Sequence, residues 1–256
     1  MKVVEFVDRD LSDGLLLIGF PAQDIVGGIA ANYLVKAFKM DLIGAVHDED
    51  FPPSVVVHED VGTSLVQVYA ADLQCGPQGE CRRLIVVKCD LVLDPEFFSS
   101  LAHSVLEWGQ RKGVRFFASV EGVKMPERNV APLTDDGVVQ IHALASLRGR
   151  ELLQSLSVPW LKHHTFTGFG AALIMKSNVA AQPAVCVFTS TPHDRADARA
   201  AAKLLRALAP MLPRSALEPG PMERRTEELE AQIRLSNEEH LLALQRMGEG
   251  HSVMYV

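Results

Sequence analysis

Acidic and histidine side chains cluster at three places in the chain, and clusters of this kind can hold a metal ion. They are HDED at residues 47–50, HED at 58–60 and the adjacent pair His163–His164. A zinc ion needs about four converging ligands, and no HExxH pattern follows any of the three. Because neighbouring side chains in a strand point to opposite faces, HED at a strand end would not converge on one ion. We expect solvated loops and no bound metal.

Nucleophilic catalysis requires a serine or cysteine beside a base. No serine lies in a GxSxG elbow, the turn that presents the nucleophile of many hydrolases. No Cys–His or Ser–His pair can be argued from spacing either. The sequence therefore presents no convincing catalytic set, and we expect a protein that is not an enzyme.

The stretch GFPAQDIVGG, residues 19–28, follows an apolar strand and opens a helix, which is where phosphate-binding loops lie. Its spacing matches neither GxGxxG nor GxxxxGK(S/T). Asp24 would also place a negative charge at the helix start, where a phosphate would otherwise bind. We expect a tight strand-to-helix turn rather than a phosphate site.

Cys75 and Cys81 flank the sequence GPQGE, which is typical of a hairpin tip. A disulfide across such a turn is geometrically possible, and two reduced thiols are the alternative. The chain has only two further cysteines, Cys89 and Cys186, and this number is too small for a disulfide scaffold.

The last six residues, HSVMYV, place one of the three tyrosines of the chain next to the terminal residue. A polar segment precedes it, so Tyr255 is poorly placed for burial within its own fold. It is well placed to be offered to a partner. We therefore take Met254, Tyr255 and Val256 as the candidate binding residues.

The composition, with 48% hydrophobic and 22% charged residues, is that of an ordinary globular protein. The net charge of −7 argues against nucleic acid and anionic membranes as main partners, since both need a basic surface. The first residues carry several charges, and no apolar run approaches the roughly 18 to 20 residues that span a bilayer. We expect a soluble, cytoplasmic protein.

Short apolar runs alternate with longer stretches of helical periodicity. This alternation predicts an α/β fold whose largely parallel sheet is covered on both faces, with an antiparallel extension at one edge from the short early strands. Strands are predicted at residues 15–19, 42–46, 54–59, 64–70, 82–88, 114–120 and 184–190. Helices are predicted at 24–39, 95–112, 167–181 and 195–208, the second with Asp94 as its N-cap and Gly113 as its stop.

A change of composition at Pro210 predicts four parts. They are an α/β body at residues 1–209, a Pro/Gly linker at 210–221, a charged helix at 222–247 and a flexible tail at 248–256. Gly248 and Gly250 are predicted to end the helix. Its apolar stripe is too sparse for a confident coiled coil, so it is either a solvated helix or a spacer or oligomerisation element. The stripe consists of Leu229, Ile233, Leu241, Leu244 and Met247.

Five blocks of the sequence resemble the proteasome assembly chaperone 2 (PAC2) family, in the family's order. The first is LLLIGFPAQDIVGGIAANYLVKAFKMDLIGAV, and the others are FPPSVVV, LEWGQRKGV, TGFGAALI and TPHDRADARAAAKLLRAL. The resemblance covers residues 15–208. The family's GxPGxG loop is GFPAQD here, with Ala22 and Asp24 in place of two glycines.

The family resemblance implies a three-layer α/β/α fold like that of nucleoside phosphorylases, a homo-oligomer and no cofactor. An apolar residue, Tyr and any residue at the C-terminus resemble the tail (HbYX) with which proteasome activators and assembly chaperones bind the core particle. Family members with this tail are archaeal. The resemblance implies that Val256 offers its carboxylate to a lysine between two α-subunits of the outer ring, and that Tyr255 and Met254 add buried contact.

We therefore predict an ATP-independent homo-oligomer that binds the proteasome core particle through its tails, as an activator or an assembly chaperone. The alternative is an enzyme or small-molecule-binding protein with a nucleoside-phosphorylase-like pocket. Its site would lie at the strand ends near residues 19–28 and 167–170. A third hypothesis is a scaffold whose terminal MYV packs on its own body.

Overall fold

The structure of the chain is a computed structural model, which describes residues 1–21, 25–58, 60–123, 140–161, 165–190, 197–213 and 219–252. The strands are β1 (Lys2–Glu5), β2 (Gly14–Gly19), β3 (Asp41–His47), β4 (Val56–His58), β5 (Val61–Thr63), β6 (Val66–Cys75), β7 (Cys81–Cys89), β8 (Phe116–Val123), β9 (Gln140–Ala145) and β10 (Ala184–Ser190). The helices are α1 (Val26–Ala37), α2 (Phe98–Arg111), α3 (Arg150–Ser155), α4 (Phe169–Val179), α5 (Asp197–Ala207) and α6 (Pro219–Ser252).

The main sheet has eight strands in the order β1-β3-β6-β7-β2-β8-β10-β9. Its centre, β7-β2-β8-β10, is parallel. The edge formed by β1, β3 and β6 is antiparallel, and so is β9 at the other edge. The predicted α/β fold and its antiparallel extension are confirmed. All six residues of the central strand β2 are buried, as expected where helices cover both faces of a sheet.

Two hydrophobic cores lie on the two faces of this sheet. On one face, Leu15 and Leu17 of β2 pack with α1, α5 and α6. On the other face, Leu16 and Ile18 pack with α2 and α4. Because side chains alternate along a strand, one apolar run supplies both cores, and the result is an α/β/α sandwich. No helix in the described part of the chain is long and apolar enough to cross a membrane.

Several predicted elements differ from the observed ones. The strand predicted at 54–59 is reduced to β4, which pairs with β5 in a separate two-stranded sheet. A 3-10 turn, Pro95–Phe97, precedes α2, and the Asp94 side chain makes no cap hydrogen bond there. Strands β1, β5 and β9 and the short helix α3 were not predicted. Strands β1 and β9 lie at the edges of the main sheet, where little burial leaves only a weak apolar pattern in the sequence.

The C-terminal helix α6 is longer at both ends than the predicted helix at 222–247. It begins at Pro219, within the predicted linker, and continues through Gly248 and Gly250 to Ser252. Each glycine costs a helix about 1 kcal/mol relative to alanine, which does not suffice to end one this long. The first linker residues also belong to the packed body, because Met211 and Leu212 are buried in the core.

All four cysteines are buried free thiols in the structure. Cys75 and Cys81 are partners across the β6–β7 hairpin, and the Cys75 thiol donates to the Arg83 carbonyl oxygen at 3.3 Å. Hydrogen bonding to Cys81 and burial raise the pKa of Cys75. Of the two alternatives, a disulfide and two reduced thiols, the structure therefore shows the reduced thiols.

Candidate functional site

The candidate binding residues Met254, Tyr255 and Val256 lie outside the described residues, which end at Ser252. The structure does show how the body holds helix α6, which leads to these residues. A second candidate site is a cavity on the opposite face of the sheet, at the carboxyl ends of the parallel strands. The two sites are described in turn.

The apolar stripe of α6 is divided between a buried half and an exposed half. Leu229 and Ile233 are 2% and 3% exposed and pack in the core with α1 and α5. Leu241 and Leu244 belong to the same stripe, but they are 59% and 38% exposed. Among the side chains of this stripe that the structure describes, those buried in the core therefore lie in the first half of α6.

Polar contacts fix α6 to three further points of the body. Asn237 donates from Nδ2 to the Asp90 carbonyl oxygen at 2.9 Å and accepts the Val92 N–H at 2.8 Å. The amide thus pairs with the backbone that follows β7 much as a neighbouring strand would. Lys36 of α1 donates to Gln232 at 2.9 Å. The Ala198 N–H in the first turn of α5 donates to the Glu230 carboxylate at 2.9 Å.

A buried ion pair lies in the body beneath this contact. Lys88 Nζ is 2.7 Å from Asp90 Oδ2, and the two side chains are 2% and 10% exposed. Asn32 of α1 donates to the same carboxylate at 2.6 Å. Lys88 also lies 5.8 Å from the centre of the Tyr69 ring. Burial, and next the charge of Asp90, raises the pKa of Tyr69 to about 12.

The network of Lys88, Asp90 and Asn32 is closed, because each charge has a partner within the body. A buried charge without a partner is strongly destabilising, so the network favours one arrangement of β7, α1 and α6. We therefore assign it a positioning role: it holds the backbone to which Asn237 binds. Lys88 ends the run LIVVK, and a charge at a core-facing position of a buried strand is the signal that could have revealed it.

Beyond Asn237, α6 has fewer contacts with the body. His240 Nδ1 lies 3.4 Å from Ser54 Oγ, next to the β4–β5 hairpin. Leu241, Leu242 and Leu244 are exposed. The part of the helix from Leu241 to Ser252 extends for about 18 Å at 1.5 Å per residue.

The second site is a cavity of about 560 Å³ at the carboxyl ends of β7 and β8, between the N-termini of α2 and α4. Crevices at this edge of a parallel sheet are the usual binding places of α/β proteins, and the volume is within the range of small-molecule sites. The lining includes Asp94, Phe98, Glu121, Phe166, Thr167 and Met175.

Glu121 lies at the base of the cavity and is 4% exposed. Its Oε1 accepts the Gly170 N–H at 2.8 Å and the Cys186 thiol at 3.2 Å. Burial, and next the Glu121 charge, raises the pKa of that thiol well above its ordinary value. The carboxylate thus occupies the N-terminus of α4, which is the position that a phosphate would take. The run ASVEGV gave a signal that was missed, namely a carboxylate inside a buried strand.

Two glycines make room for this carboxylate. Gly168 has φ +125°, and a Cβ there would lie 2.8 Å from Glu121 Oε2. A Cβ at Gly170 would lie 2.2 Å from Oε1. Any side chain at either position would collide with the carboxylate, so both glycines are required by the geometry of the site.

The described residues of the segment at 19–28 do not line the cavity, whereas Thr167 and Gly168 do. Of the two segments that were predicted for a small-molecule site, the described residues therefore place only the second at it. A Cβ at Gly27 would lie 2.4 Å from the Val120 carbonyl oxygen, so this glycine lets α1 approach the sheet closely. The tight strand-to-helix turn before it stays a prediction. Residues 22–24 lie outside the described part of the chain.

The metal-ligand candidates that the structure describes are not brought together. Within the described residues, no group of three or more His, Cys, Asp or Glu side chains is placed to hold a metal ion. Asp48 of the HDED stretch is 2.7 Å from the N-terminal amino group. This contact lowers the pKa of Asp48. Glu59, His163 and His164 lie outside the described residues.

Solved structures similar to this chain show the same fold. PbaA of Pyrococcus furiosus, described as an archaeal homolog of proteasome-assembly chaperone, is 24% identical with a TM-score of 0.72 over 100% of both chains. PbaB of the same organism, described as an archaeal proteasome activator, is 20% identical with a TM-score of 0.68 over 92% of this chain and 98% of that one.

Similarity over most of the chain is also found at the level of sequence. An uncharacterized protein of Methanocaldococcus jannaschii is 25% identical over 215 residues, which are 80% of this chain and 78% of the relative. The sequence model of the PAC2 family matches residues 16–235. This match spans both cores and most of the anchored half of α6, and it shows that the chain belongs to the PAC2 family.

Proposed function

We propose that this protein is an ATP-independent partner of the proteasome core particle, which binds the outer α-subunit ring through Met254, Tyr255 and Val256. The observation that carries the proposal is the tail sequence itself, placed after a helix that the body holds by its first half. The fold shared with PbaA and PbaB and the membership in the PAC2 family support it.

The chemistry of the three residues fits such a pocket. A carboxylate on Val256 would form a charge-assisted contact with a lysine. Tyr255 would bury its ring and use its hydroxyl for a hydrogen bond, and Met254 would adapt its shape to an apolar surface. The proposal requires that Val256 carry the free carboxylate.

One tail orders several residues to gain few contacts, so a single docking event is weak. We propose that the protein is a homo-oligomer, whose several tails raise the avidity by about 10² to 10⁴ if their spacing matches the ring. Helix α6 would set the reach of each tail. If docking favours the open form of the ring's gate, it shifts the gate population toward opening, and the protein is an activator. Binding to unfinished rings would make it an assembly chaperone.

The test compares variants of the full chain for binding to an immobilised archaeal proteasome core particle. Deletion of residues 254–256 and the variant Tyr255→Ala should abolish binding. Two residues added after Val256 should do the same, because they displace the carboxylate. Val256→Ala keeps a terminal carboxylate and should bind as the unchanged chain does.

Peptide hydrolysis by the core particle, measured in parallel, separates the two roles. A rise that depends on the tail identifies an activator, whereas binding without a rise favours an assembly chaperone. Equal binding by the unchanged chain and by the deletion variant would refute tail docking.

A further inference from the structure

The tip of the β6–β7 hairpin is not used by the proposed tail docking, and it brings two cysteines together. Cys75 ends β6, Cys81 begins β7, and the two are directly opposed partners in the antiparallel ladder. Opposed residues of such a ladder have Cα atoms about 4.5 to 5.5 Å apart, and a disulfide spans about 4.4 to 6.8 Å between Cα atoms. The backbone therefore already holds the two residues at a distance that a disulfide can bridge.

The two side chains point toward each other within one core. Cys75 is 2% exposed and Cys81 is fully buried, and both belong to the core that contains α1 and α5. The Cys75 thiol is hydrogen-bonded to that of Cys81. A Cβ at Gly76 would lie 2.9 Å from Cys81 Sγ. Because Gly76 directly follows Cys75, the Cys81 sulfur lies beside the strand that carries its partner.

The tip itself is a tight turn that holds a distant part of the chain. Gly76 and Gly79 have φ of +86° and +73°, and the Gly79 N–H donates to the Gly76 carbonyl oxygen at 3.0 Å. The Gly76 N–H donates to the carbonyl oxygen of Met211 at 2.9 Å. Met211 is buried in the core after α5, so the tip anchors the segment that connects α5 to α6.

The surroundings of the two thiols differ in a way that sets their order of reaction. Cys75 Sγ donates to the Arg83 carbonyl oxygen at 3.3 Å. Hydrogen bonding to Cys81, and next burial, raises the pKa of Cys75, so this thiol stays protonated and is poorly suited to attack first. Cys81 lines a cleft of about 460 Å³ at the tip. A reagent in this cleft reaches its sulfur when the short turn opens locally.

We propose that Cys75 and Cys81 form a reversible dithiol, described here in its reduced form, which a small disulfide compound such as oxidised glutathione converts to an intramolecular disulfide. Cys81 attacks one sulfur of the compound, and its proton leaves with the first released thiol. Cys75 then attacks the Cys81 sulfur of the mixed disulfide, and its proton leaves with the second thiol. The protein loses two hydrogen atoms, and the compound is reduced to two thiols. This reaction does not depend on the C-terminal tail.

Cys89 and Cys186 serve as internal controls. Both are buried in the core on the opposite face of the sheet from the pair. They lie in β7 and β10, which β2 and β8 separate. With about 4.8 Å between neighbouring strands, Cys89 and Cys186 are about 14 Å apart or more, and a disulfide cannot join them.

Mass spectrometry of the full-length protein tests the proposal. The folded protein is incubated with oxidised glutathione, unfolded with iodoacetamide to alkylate the remaining thiols, and digested with trypsin. Cleavage after Lys and Arg places both Cys75 and Cys81 in the peptide 40–82, and Cys89 and Cys186 in two other peptides. The peptide 40–82 should carry no alkyl group and weigh about 2 Da less than its dithiol form. The other two peptides should stay alkylated, and dithiothreitol should reverse the change.

Variants test the order of reaction and the effect of the bond. Cys75→Ser should accumulate a glutathione adduct on Cys81, because the second thiol is absent. Cys81→Ser should react much more slowly at Cys75. The oxidised protein should unfold at a higher urea concentration than the reduced protein, because the bond restricts the unfolded chain, and Cys75→Ser should show no such rise.

Three results would each overturn the proposal. The first is a peptide 40–82 that is still alkylated at both cysteines after incubation. The second is a glutathione adduct on Cys81 that persists in the unchanged protein without forming the intramolecular bond. The third is a urea midpoint that oxidation does not raise.

Discussion

Asp90 and Glu121 are both buried carboxylates at the carboxyl ends of parallel strands, β7 and β8, but they lie on opposite faces of the sheet. Asp90 is paired with Lys88 and Asn32, and the contact of Asn237 with its carbonyl places α6 over it. Glu121 binds the N-terminus of α4 and borders an open cavity. The same type of group thus has a structural role beneath α6, and at the other site it borders a cavity.

The largest expected effect is a difference in stability between substitutions of these two carboxylates. Asp90→Asn leaves the Lys88 charge buried without its partner, which should lower the free energy of unfolding by about 3 to 5 kcal/mol. Glu121→Gln keeps an oxygen acceptor for the Gly170 N–H and removes the charge at the N-terminus of α4, so it should cost less, about 1 kcal/mol. Urea unfolding followed by circular dichroism measures both. Similar losses of unfolding free energy in the two variants would contradict the view that Asp90 has a structural role that Glu121 lacks.

The second effect concerns the two halves of the helix that covers Asp90. Ile233→Ala should lower the free energy of unfolding by about 2 to 5 kcal/mol, because the side chain is buried in the core and its removal leaves a cavity. Leu241→Ala, in the same stripe but exposed, should change it by no more than about 0.5 kcal/mol. The two variants are compared by thermal and urea unfolding. A large loss in Leu241→Ala would indicate that the outer half of α6 is buried in an assembly.

Loss of the polar contact between α6 and β7 should have a smaller effect. Asn237→Ala removes the two hydrogen bonds to the backbone after β7 and a third to the Ile233 carbonyl oxygen within α6, and it should cost about 1 to 2 kcal/mol. It should also speed hydrogen exchange in α6 more than in α4, since only α6 loses an anchor.

Asn237→Asp is the matched control for this contact. It keeps the acceptor for the Val92 N–H but places a carboxylate oxygen against the carbonyl oxygens of Asp90 and Ile233, so it should destabilise the protein at least as much as Asn237→Ala. Exchange rates that rise equally in α4 and α6 would argue against a local anchor.

The dependence of stability on alkaline pH tests the burial of one ionisable group on each face of the sheet, with a smaller expected effect. Burial raises the pKa of Cys89, on the cavity face, from 9.0 to about 12, and burial with Asp90 raises that of Tyr69, on the α6 face, from 10.0 to about 12. Below these ordinary values both groups are neutral in the folded and unfolded states. As the pH rises from about 9 to about 12, the unfolded chain ionises first, and the stability should therefore fall.

Urea midpoints at pH 8, 9.5 and 11 measure this fall. In Cys89→Ala, the decrease should begin at the same pH but be smaller, because Cys75 and Cys186, whose pKa values are also raised, still ionise first in the unfolded chain. A stability that stays constant up to pH 11 would contradict the burial of both groups.

The fold could be predicted where the apolar pattern of a sequence segment matches the burial of its residues in the structure. Strand β10 has the predicted bounds, 184–190, because AVCVFTS is a continuous apolar run between polar segments. The antiparallel edge was also predictable from its short spacing. Strand β9 was missed, since an edge strand has few buried positions. The predicted C-terminal end of α6 was wrong, because two glycines do not destabilise a helix rich in good helix formers enough to end it.

The candidate sites also differ in whether the sequence could predict their residues. The tail residues Met254, Tyr255 and Val256 are a local pattern, so the sequence could propose them, and they remain a prediction. Lys88 and Asp90 are partners only two residues apart, but no local pattern shows that this pair, or Glu121, is buried. Their partners Asn32, Asn237 and Gly170 come from distant parts of the chain.

The sequence by itself determined the layers of this protein and its membership in the PAC2 family, because alternation along β2 and periodicity along the helices are local properties of the chain. Only the tertiary structure decided which buried charge lies beneath α6 and which borders the cavity. That choice depends on whether a helix more than a hundred residues away along the chain packs over the strand end, and no local pattern encodes such a contact.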